Sequence, residues 1–372
     1  MGVRPLKLLV QPGDGIDRLI KGITKAQKSV EIVIFRFDRG EIERALVDAV
    51  ERGVFVHALI AFTNRGGEEN LRKLEQHFLA KGMTVARTAG DLVRYHGKMM
   101  LIDRRELYLL SFNYTHMDID HSRSFGLITR NPKLVQEAGK LFDADTKRQD
   151  YTPGYSKFVV SPANSRKELA KFIKAAKQEL LIYDPKITDR AMLRLLEERK
   201  NAGVDVRVIG KVAGCRLPSR EMPHLRLHTR TVLRDRKQAF MGSQSLRQLE
   251  LDARREIGII FRDAAIIKVL ARTFEEDWAA SQPPKSRKLA VGKTARKVVK
   301  TVSKKVSVAP VVRHVARAIR KKTNGKLGQK EVEEAVEAVM QDAVRDTIKE
   351  VTKHAVKAVA QEVEEMEKVD AE

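Results

Sequence analysis

Cysteine is nearly absent from these 372 residues: Cys215 is the only one. No intrachain disulfide can form, and a reducing compartment is the simpler setting. Cys215 lies in a loop containing Gly and Pro, away from any Cys or His at metal-ligand spacing, so a free thiol is expected. Long apolar runs are missing as well. No stretch of 18 apolar residues occurs, so nothing in the sequence reads as a bilayer span. Residues 1–7 lack the apolar stretch of a secretion signal, and Gly2 is not followed by Ser or Thr at the sixth position, as myristoylation would require. The expected location is cytoplasmic, with the inner face of a membrane reached only by lying on it. Aromatic residues make up 5%, which argues against recognition of single strands by base stacking. Acid is missing locally: from Ser281 to Lys330 there is no Asp or Glu, against sixteen Lys and Arg.

What is present is a core and a charge. Hydrophobic content of 42% supports a packed interior rather than a disordered chain. A formal charge of +23 favours polyanionic partners, whether an anionic membrane surface, phospholipid or nucleic acid. The basic segment 285–330 begins with helically spaced Leu289, Ala295, Val298, Val299, Val302 and Val306, and is expected to contact a polyanion. Pro310 and Asn324-Gly325 interrupt it. Residues 331–366 then read as a long acidic helix with a Val/Ala stripe.

The chain also repeats itself. His96-Gly97-Lys98 with Asp103 is matched by His228-Thr229-Arg230 with Asp235, at an offset of 228 − 96 = 132. The same offset places Ser111 and Asn113 on Ser243 and Ser245, Asp120 on Asp252, Arg123 on Arg255, Gly126 on Gly258, Arg130 on Arg262 and Phe142 on Phe274. One such motif alone is modest evidence, but a second with its downstream block in register is not coincidence. Upstream, strand-length apolar runs (6–10, 30–37, 54–61) alternate with helical patterns (16–27, 41–51), which indicates βα units and a sheet covered on both faces. The order recurs at 158–160, 166–177, 180–183, 190–201 and 204–209, and a helix over 264–280 closes the second copy. The glycines that end the second helix of each copy, Gly53 and Gly203, are 150 apart, so the first copy carries 18 extra residues around 64–79, read as a loop plus a helix. Residues 151–155 read as the linker.

Each copy offers an imidazole, a cation and a carboxylate. On a strand, side chains two apart share a face, so His96 and Lys98 are expected to point at one pocket, as are His228 and Arg230. Two imidazoles can divide nucleophile and acid between them, and cations can hold the phosphoryl oxygens. Asp103 and Asp235, at the far end of the motif, could hydrogen-bond an imidazole N–H. Ser111, Asn113, Ser243 and Ser245 could add neutral donors. Arg123 and Arg255 read equally as phosphate ligands or as internal ion pairs. His116, His121 and His224 read as loop or surface residues.

The paired motif resembles that of the phospholipase D superfamily, whose mark is a repeated His-x-Lys-(x)4-Asp followed by Gly-Ser-x-Asn. The stretch Ala26-Gln27-Lys28-Ser29-Val30-Glu31-Ile32 is also similar to that family. The resemblance covers about residues 6–280. It implies an α/β fold of two pseudo-symmetric halves, each a mixed sheet flanked by helices (1–150 and 151–282), followed here by the basic segment (283–330) and an acidic helical tail (331–372). It implies a site where the two motifs meet, with no cofactor and no metal, and with no dimer needed to complete it. It further implies a phosphohistidine, with His96 attacking phosphorus and His228 protonating the leaving alcohol or the reverse, and with Lys98, Arg230, Asn113 and Ser243 holding phosphoryl oxygens. The sequence departs from the pattern at Arg230 for lysine, Leu110 for glycine and Ser245 for asparagine. Ser124 stands opposite Glu256, a position where the family often has an acid. The expected activity is that of a phospholipase D-type phosphodiesterase or a phosphatidyltransferase of the cardiolipin synthase kind. The alternatives are a metal-independent nuclease of the same superfamily and a polyanion-binding protein with a retired site.

Overall fold

The structure, a computed structural model, describes residues 6–283 except 65, 66, 89, 91, 215 and 216, together with scattered positions between Val315 and Thr347. The chain divides into two units, Met1–Pro284 and Lys285–Glu372. The free thiol expected at Cys215 lies outside the described residues. So does almost all of the basic segment and acidic tail, of which only isolated helical positions such as 333–337 are described.

The first half of the first unit runs β1 (Lys7–Gln11), α1 (Asp17–Thr24), β2 (Ser29–Ile34), α2 (Gly40–Glu51), β3 (Phe55–Ile60), α3 (Glu69–Ala80), β4 (Thr84–Arg87), β5 (Arg94–Tyr95), β6 (Met99–Ile102), β7 (Glu106–Leu110), α4 (His116–Asp120), β8 (Ser122–Thr129) and α5 (Pro132–Thr146). The second runs β9 (Phe158–Val160), α6 (Ser165–Lys174), β10 (Glu179–Ile187), α7 (Arg190–Asn201), β11 (Asp205–Val212), β12 (Ser219–Arg220), β13 (Arg226–Leu227), β14 (Arg230–Arg234), β15 (Gln238–Gly242), α8 (Gln248–Asp252), β16 (Arg254–Arg255), β17 (Ile257–Phe261) and α9 (Ala264–Ala280). The sheets have the orders β1-β8-β7-β6-β2-β3-β4 and β9-β17-β15-β14-β10-β11-β12, which is the same path walked twice. Both are mixed, parallel at β2–β3 and β10–β11 and antiparallel from β6 or β14 outward. The extra segment of the first half is α3, as its length required.

Local chemistry explains the punctuation. Gly53 and Gly203 end α2 and α7 at φ +81° and +86°, a left-handed conformation that glycine adopts without strain. Helix α9 begins where the Asp263 side chain accepts from the Ile266 amide, and it buries Ile266, Ile267, Leu270 and Phe274. Each such side chain contributes about 1.5–3 kcal/mol when fully buried. One hydrophobic core runs through both halves, from Leu9 and Phe125 to Tyr183 and Phe274; the Phe125 and Tyr183 rings meet edge-on at 5.5 Å. The halves are therefore fused rather than tethered, and residues 151–155 are tied down, with Tyr151 Oη and the Gly154 amide both donating to Glu137.

Each half also lends a short strand to the other. Strand β13 pairs with β8 and β16 pairs with β5, at corresponding registers. Reciprocal ion pairs lock the exchange. Arg123 grips Asp277 at 2.7 and 2.9 Å, and Arg255 reaches Asp145 at 3.0 Å. This decides the role of Arg123 and Arg255, which hold the halves together through buried carboxylates. Tyr183 and Tyr95 hydroxyls complete the same two carboxylates.

Candidate active site

The exchanged strands bring the two motifs together. The amides of His96 and Gly97 donate to Arg255 O at 2.7 and 3.0 Å, and those of His228 and Thr229 donate to Arg123 O at 3.1 and 3.0 Å. Each histidine is thus held by the opposite half, just before its own half's β6 or β14. The imidazoles face each other with ring centroids 6.5 Å apart and planes at 68°. A single phosphoryl group placed between them would touch both.

The cations sit in matching places. Lys98 Nζ donates to His96 O at 2.5 Å, and Arg230 Nη1 donates to His228 O at 2.6 Å. Arg230 therefore occupies the lysine position, and its wider fork is accommodated by a second change. Its Nε donates at 3.1 Å to Ser245 Oγ, which stands where the first half has the longer Asn113. Lys98 is fully buried, and desolvation lowers its pKa to about 7 against the opposing pull of Glu256. Desolvation and the adjacent cations also hold both imidazoles well below their ordinary value.

The carboxylates correct the sequence reading. Asp103 and Asp235 do not reach an imidazole. Both lie in the tight turn after β6 or β14, at φ +52°, and clamp backbone instead. Asp103 Oδ1 accepts from the amides of Gln27, Lys28 and Ser29 at 3.0, 2.7 and 3.0 Å, and Asp235 Oδ1 does the same for Lys177, Gln178 and Glu179. Burial raises these carboxyls, but the amide donors outweigh it and hold them below the usual range. The partner of His96 Nδ1 is Glu256, at 2.9 Å and with its side chain wholly buried. Burial pushes Glu256 up, and Lys98 opposes the shift. At the corresponding position of the first half stands Ser124. Its hydroxyl and His228 Nδ1 are both buried without a hydrogen-bond partner among the described residues.

Asp118 was not singled out from the sequence. It lies on α4 with Oδ2 3.6 Å from His228 Nε2, and it accepts from the Asn113 amide, Asn113 Nδ2 and Arg226 Nη1. Burial raises it, but His228, the Asn113 amide and Arg226 together bring it to about 2. Its counterpart is Glu250, which accepts from the Ser245 amide. The signal was available, since 250 − 118 = 132. Phe35 was also missed: its ring stands edge-on to His96 at 4.8 Å, with Lys98 Nζ 5.3 Å from its centroid.

The serines serve the frame. Ser111 Oγ exchanges hydrogen bonds with the backbone of Phe125 at 2.8 and 2.9 Å, and Ser243 Oγ accepts from the Ile257 amide at 3.1 Å. His116 is exposed and paired with Asp38 at 2.9 Å.

Two facing imidazoles, two cations and a buried carboxylate sit together on a duplicated α/β scaffold. The chain belongs to the family described as cardiolipin synthase, phospholipase D-like domain, whose family model matches residues 19–146 and 169–278. It is similar to a polyphosphate kinase of Prosthecochloris aestuarii, with 25% identity over 309 residues, 72% of this chain and 42% of that protein. It is also similar to a mitochondrial cardiolipin hydrolase of Danio rerio, with 31% identity over 135 residues, 34% of this chain and 56% of that one. The chain thus spans only about half the length of these curated relatives. Among solved structures it superposes on a polyphosphate kinase from Porphyromonas gingivalis (TM-score 0.61, 17% identity, 73% of this chain and 50% of that one). It also superposes on a phosphatidylserine synthase from Haemophilus influenzae (TM-score 0.57, 10% identity, 74% and 85%). These likenesses show the fold.

Proposed function

We propose that the protein is a phosphodiesterase or phosphatidyltransferase acting on phospholipid through a phosphohistidine, with His96 as nucleophile and His228 as acid. The observation that carries this reading is the pair of facing imidazoles with a carboxylate behind only one of them. Glu256 accepts the Nδ1 proton of His96, which leaves the Nε2 lone pair free, and it steadies the ring as it becomes cationic on bonding phosphorus. His228 gives its proton to the leaving alkoxide as the P–O bond breaks. Water or an acceptor alcohol then returns a proton to His228, attacks phosphorus and releases His96. Lys98 and Arg230 hold the phosphoryl oxygens as charge moves onto them. Asn113 donates from Nδ2 and from its backbone amide to Asp118 and so fixes it beside His228, while its buried Oδ1 has no partner among the described residues.

A lipid substrate is supported by the rim. Met117 and Leu249 are counterparts in the repeat, on the two helices that carry Asp118 and Glu250, and they are 54% and 46% exposed. Paired apolar side chains among arginines suit an anionic lipid surface better than a phosphate backbone alone. Among the described residues no helix is long and apolar enough to cross a membrane, so contact would be peripheral. The test uses phosphatidylglycerol and phosphatidylcholine vesicles in EDTA, beside His96→Ala. Headgroup release or transfer that depends on His96 is expected. Cleavage of nucleic acid or polyphosphate without a lipid product would overturn the substrate, and no product from any of them would overturn the reaction.

A further inference from the structure

At the end of β6 away from the histidines lies a hollow of about 860 Å³, bounded by α1, the β6–β7 turn and β8. Lys7, Arg18, Lys21, Lys25, Arg105 and Arg130 line it. Arg130 pairs with Glu106 at 2.8 Å, while the other five have no ion pair or side-chain hydrogen bond among the described residues. The hollow is not the catalytic pocket: His96 and Asp103 stand at opposite ends of β6, and seven residues of extended chain span about 20 Å.

The second half serves as an internal control for what makes the hollow. The amides capped by Asp103 and Asp235 are 150 residues apart, and that offset places Gly22 of α1 opposite Phe172 of α6. Phe172 is buried, its carbonyl accepts from Arg234 Nη1 at 3.0 Å, and its ring lies 4.7 Å from that guanidinium. A helix-borne aromatic side chain and its arginine partner thus fill the second half where the first has Gly22 and Ile102. Gly22 instead lets the Tyr108 hydroxyl rest against the helix, where any Cβ would collide with it. The charge differs in the same direction. The positions of Arg18 and Lys25 are taken in the second half by Glu168 and Ala175.

We propose that this hollow is a second anion site, separate from the catalytic centre, that binds a compact oligophosphate: a free inorganic chain or the triphosphate of a nucleotide. Five cations without an ion pair among the described residues, against the carboxylates of Asp103 and the paired Glu106 in the same lining, leave an excess of positive charge that calls for several negative charges in a small volume. The volume falls in the range of small-ligand sites. The recess argues against a bilayer, because a flat surface cannot enter it.

The test is calorimetric titration of the full chain with sodium tripolyphosphate and, separately, with ATP. Wild type is compared with Lys21→Glu/Arg105→Glu and with the second-half control Lys171→Glu/Lys237→Glu. All four side chains are exposed, so the fold is preserved. Reversing two charges beside a polyanion should weaken binding about tenfold or more, against less than about twofold in the control. Equal loss of both ligands assigns the site to the phosphate chain alone, and tighter ATP binding assigns it to a nucleotide. The proposal is overturned if wild type binds neither ligand, if Lys21→Glu/Arg105→Glu binds as wild type does, or if the control pair loses as much. It is also overturned if the variant loses only phosphatidylglycerol vesicles and tripolyphosphate does not compete for them.

Discussion

The two halves of the first unit trace the same strand order, exchange the same short strands and close with the same ion pairs, yet they meet at a site that is not symmetric. His96 has Glu256 behind it, whereas His228 has Ser124 at the matching place and Asp118 on its other side. Lys98 goes with Asn113, and Arg230 goes with Ser245. A reaction that needs a nucleophile and an acid does not want two identical imidazoles. The scaffold has stayed duplicated where it bears structure and has diverged around the two facing imidazoles. Gly22 and Phe172 show the same divergence at the end of the sheet away from the histidines.

The largest effect that would test this asymmetry is on the histidines themselves. His96→Ala should lower turnover by about 10⁴-fold or more on every ester. His228→Ala should cost about 10²–10⁴-fold on an ester with an alkyl leaving group and much less on a p-nitrophenyl ester, whose leaving group needs no proton. The 32P-labelled phosphohistidine should then accumulate on His96 in His228→Ala. Label on His228 in His96→Ala would reverse the assignment. The pH profile follows the same logic. Burial lowers the Lys98 pKa to about 7, and His228 is held well below its ordinary value by burial, which outweighs Asp118, and by the cations Arg230, Lys98 and Arg226. The protonated forms that bind and donate therefore disappear as pH rises, so kcat/KM should peak on the acid side and fall through neutrality. A profile that rises to pH 9 would contradict this.

Glu256 against Ser124 is the next comparison. Glu256→Gln keeps the shape but removes the charge that steadies the His96 ring, and about 10²-fold in kcat is expected to go. Ser124→Ala removes a hydroxyl with no partner among the described residues, so a change within about threefold is expected. Equal losses in the two variants would mean that the halves contribute alike.

How much of this was legible follows from what a repeat can and cannot encode. The 132-residue register revealed the duplication, both motifs and α9 to the residue, because burial of one face imposes periodicity on sequence. It also carried Asp118 and Glu250, which went unread because an acid in a short polar helix has no periodic neighbour to mark it. The partners of the imidazoles were hidden for a different reason. Glu256 reaches His96 across 160 residues, through a strand exchange that only tertiary pairing creates. The motif aspartates misled for the same reason. Their spacing from histidine is fixed, but the length of β6 carries them away from it to the opposite end of the sheet.

The smallest expected effect concerns those aspartates. Asp103→Asn and Asp235→Asn each leave one acceptor oxygen for amides that now share a carboxylate, at a cost of about 1–3 kcal/mol in urea unfolding and within about threefold in kcat. The sign with pH is set by carboxyls held low in the folded state. Their contribution is complete above the unfolded value of about 4 and is lost as pH falls through the lower folded value. The gap between wild type and either variant should therefore close in acid and stay constant from pH 5 upward. Because both clamps grip three amides in the same geometry, the two variants should also lose equal stability. A variant that keeps its stability but loses turnover would return that aspartate to the chemistry of the site, and would mark one half's clamp as different from the other's.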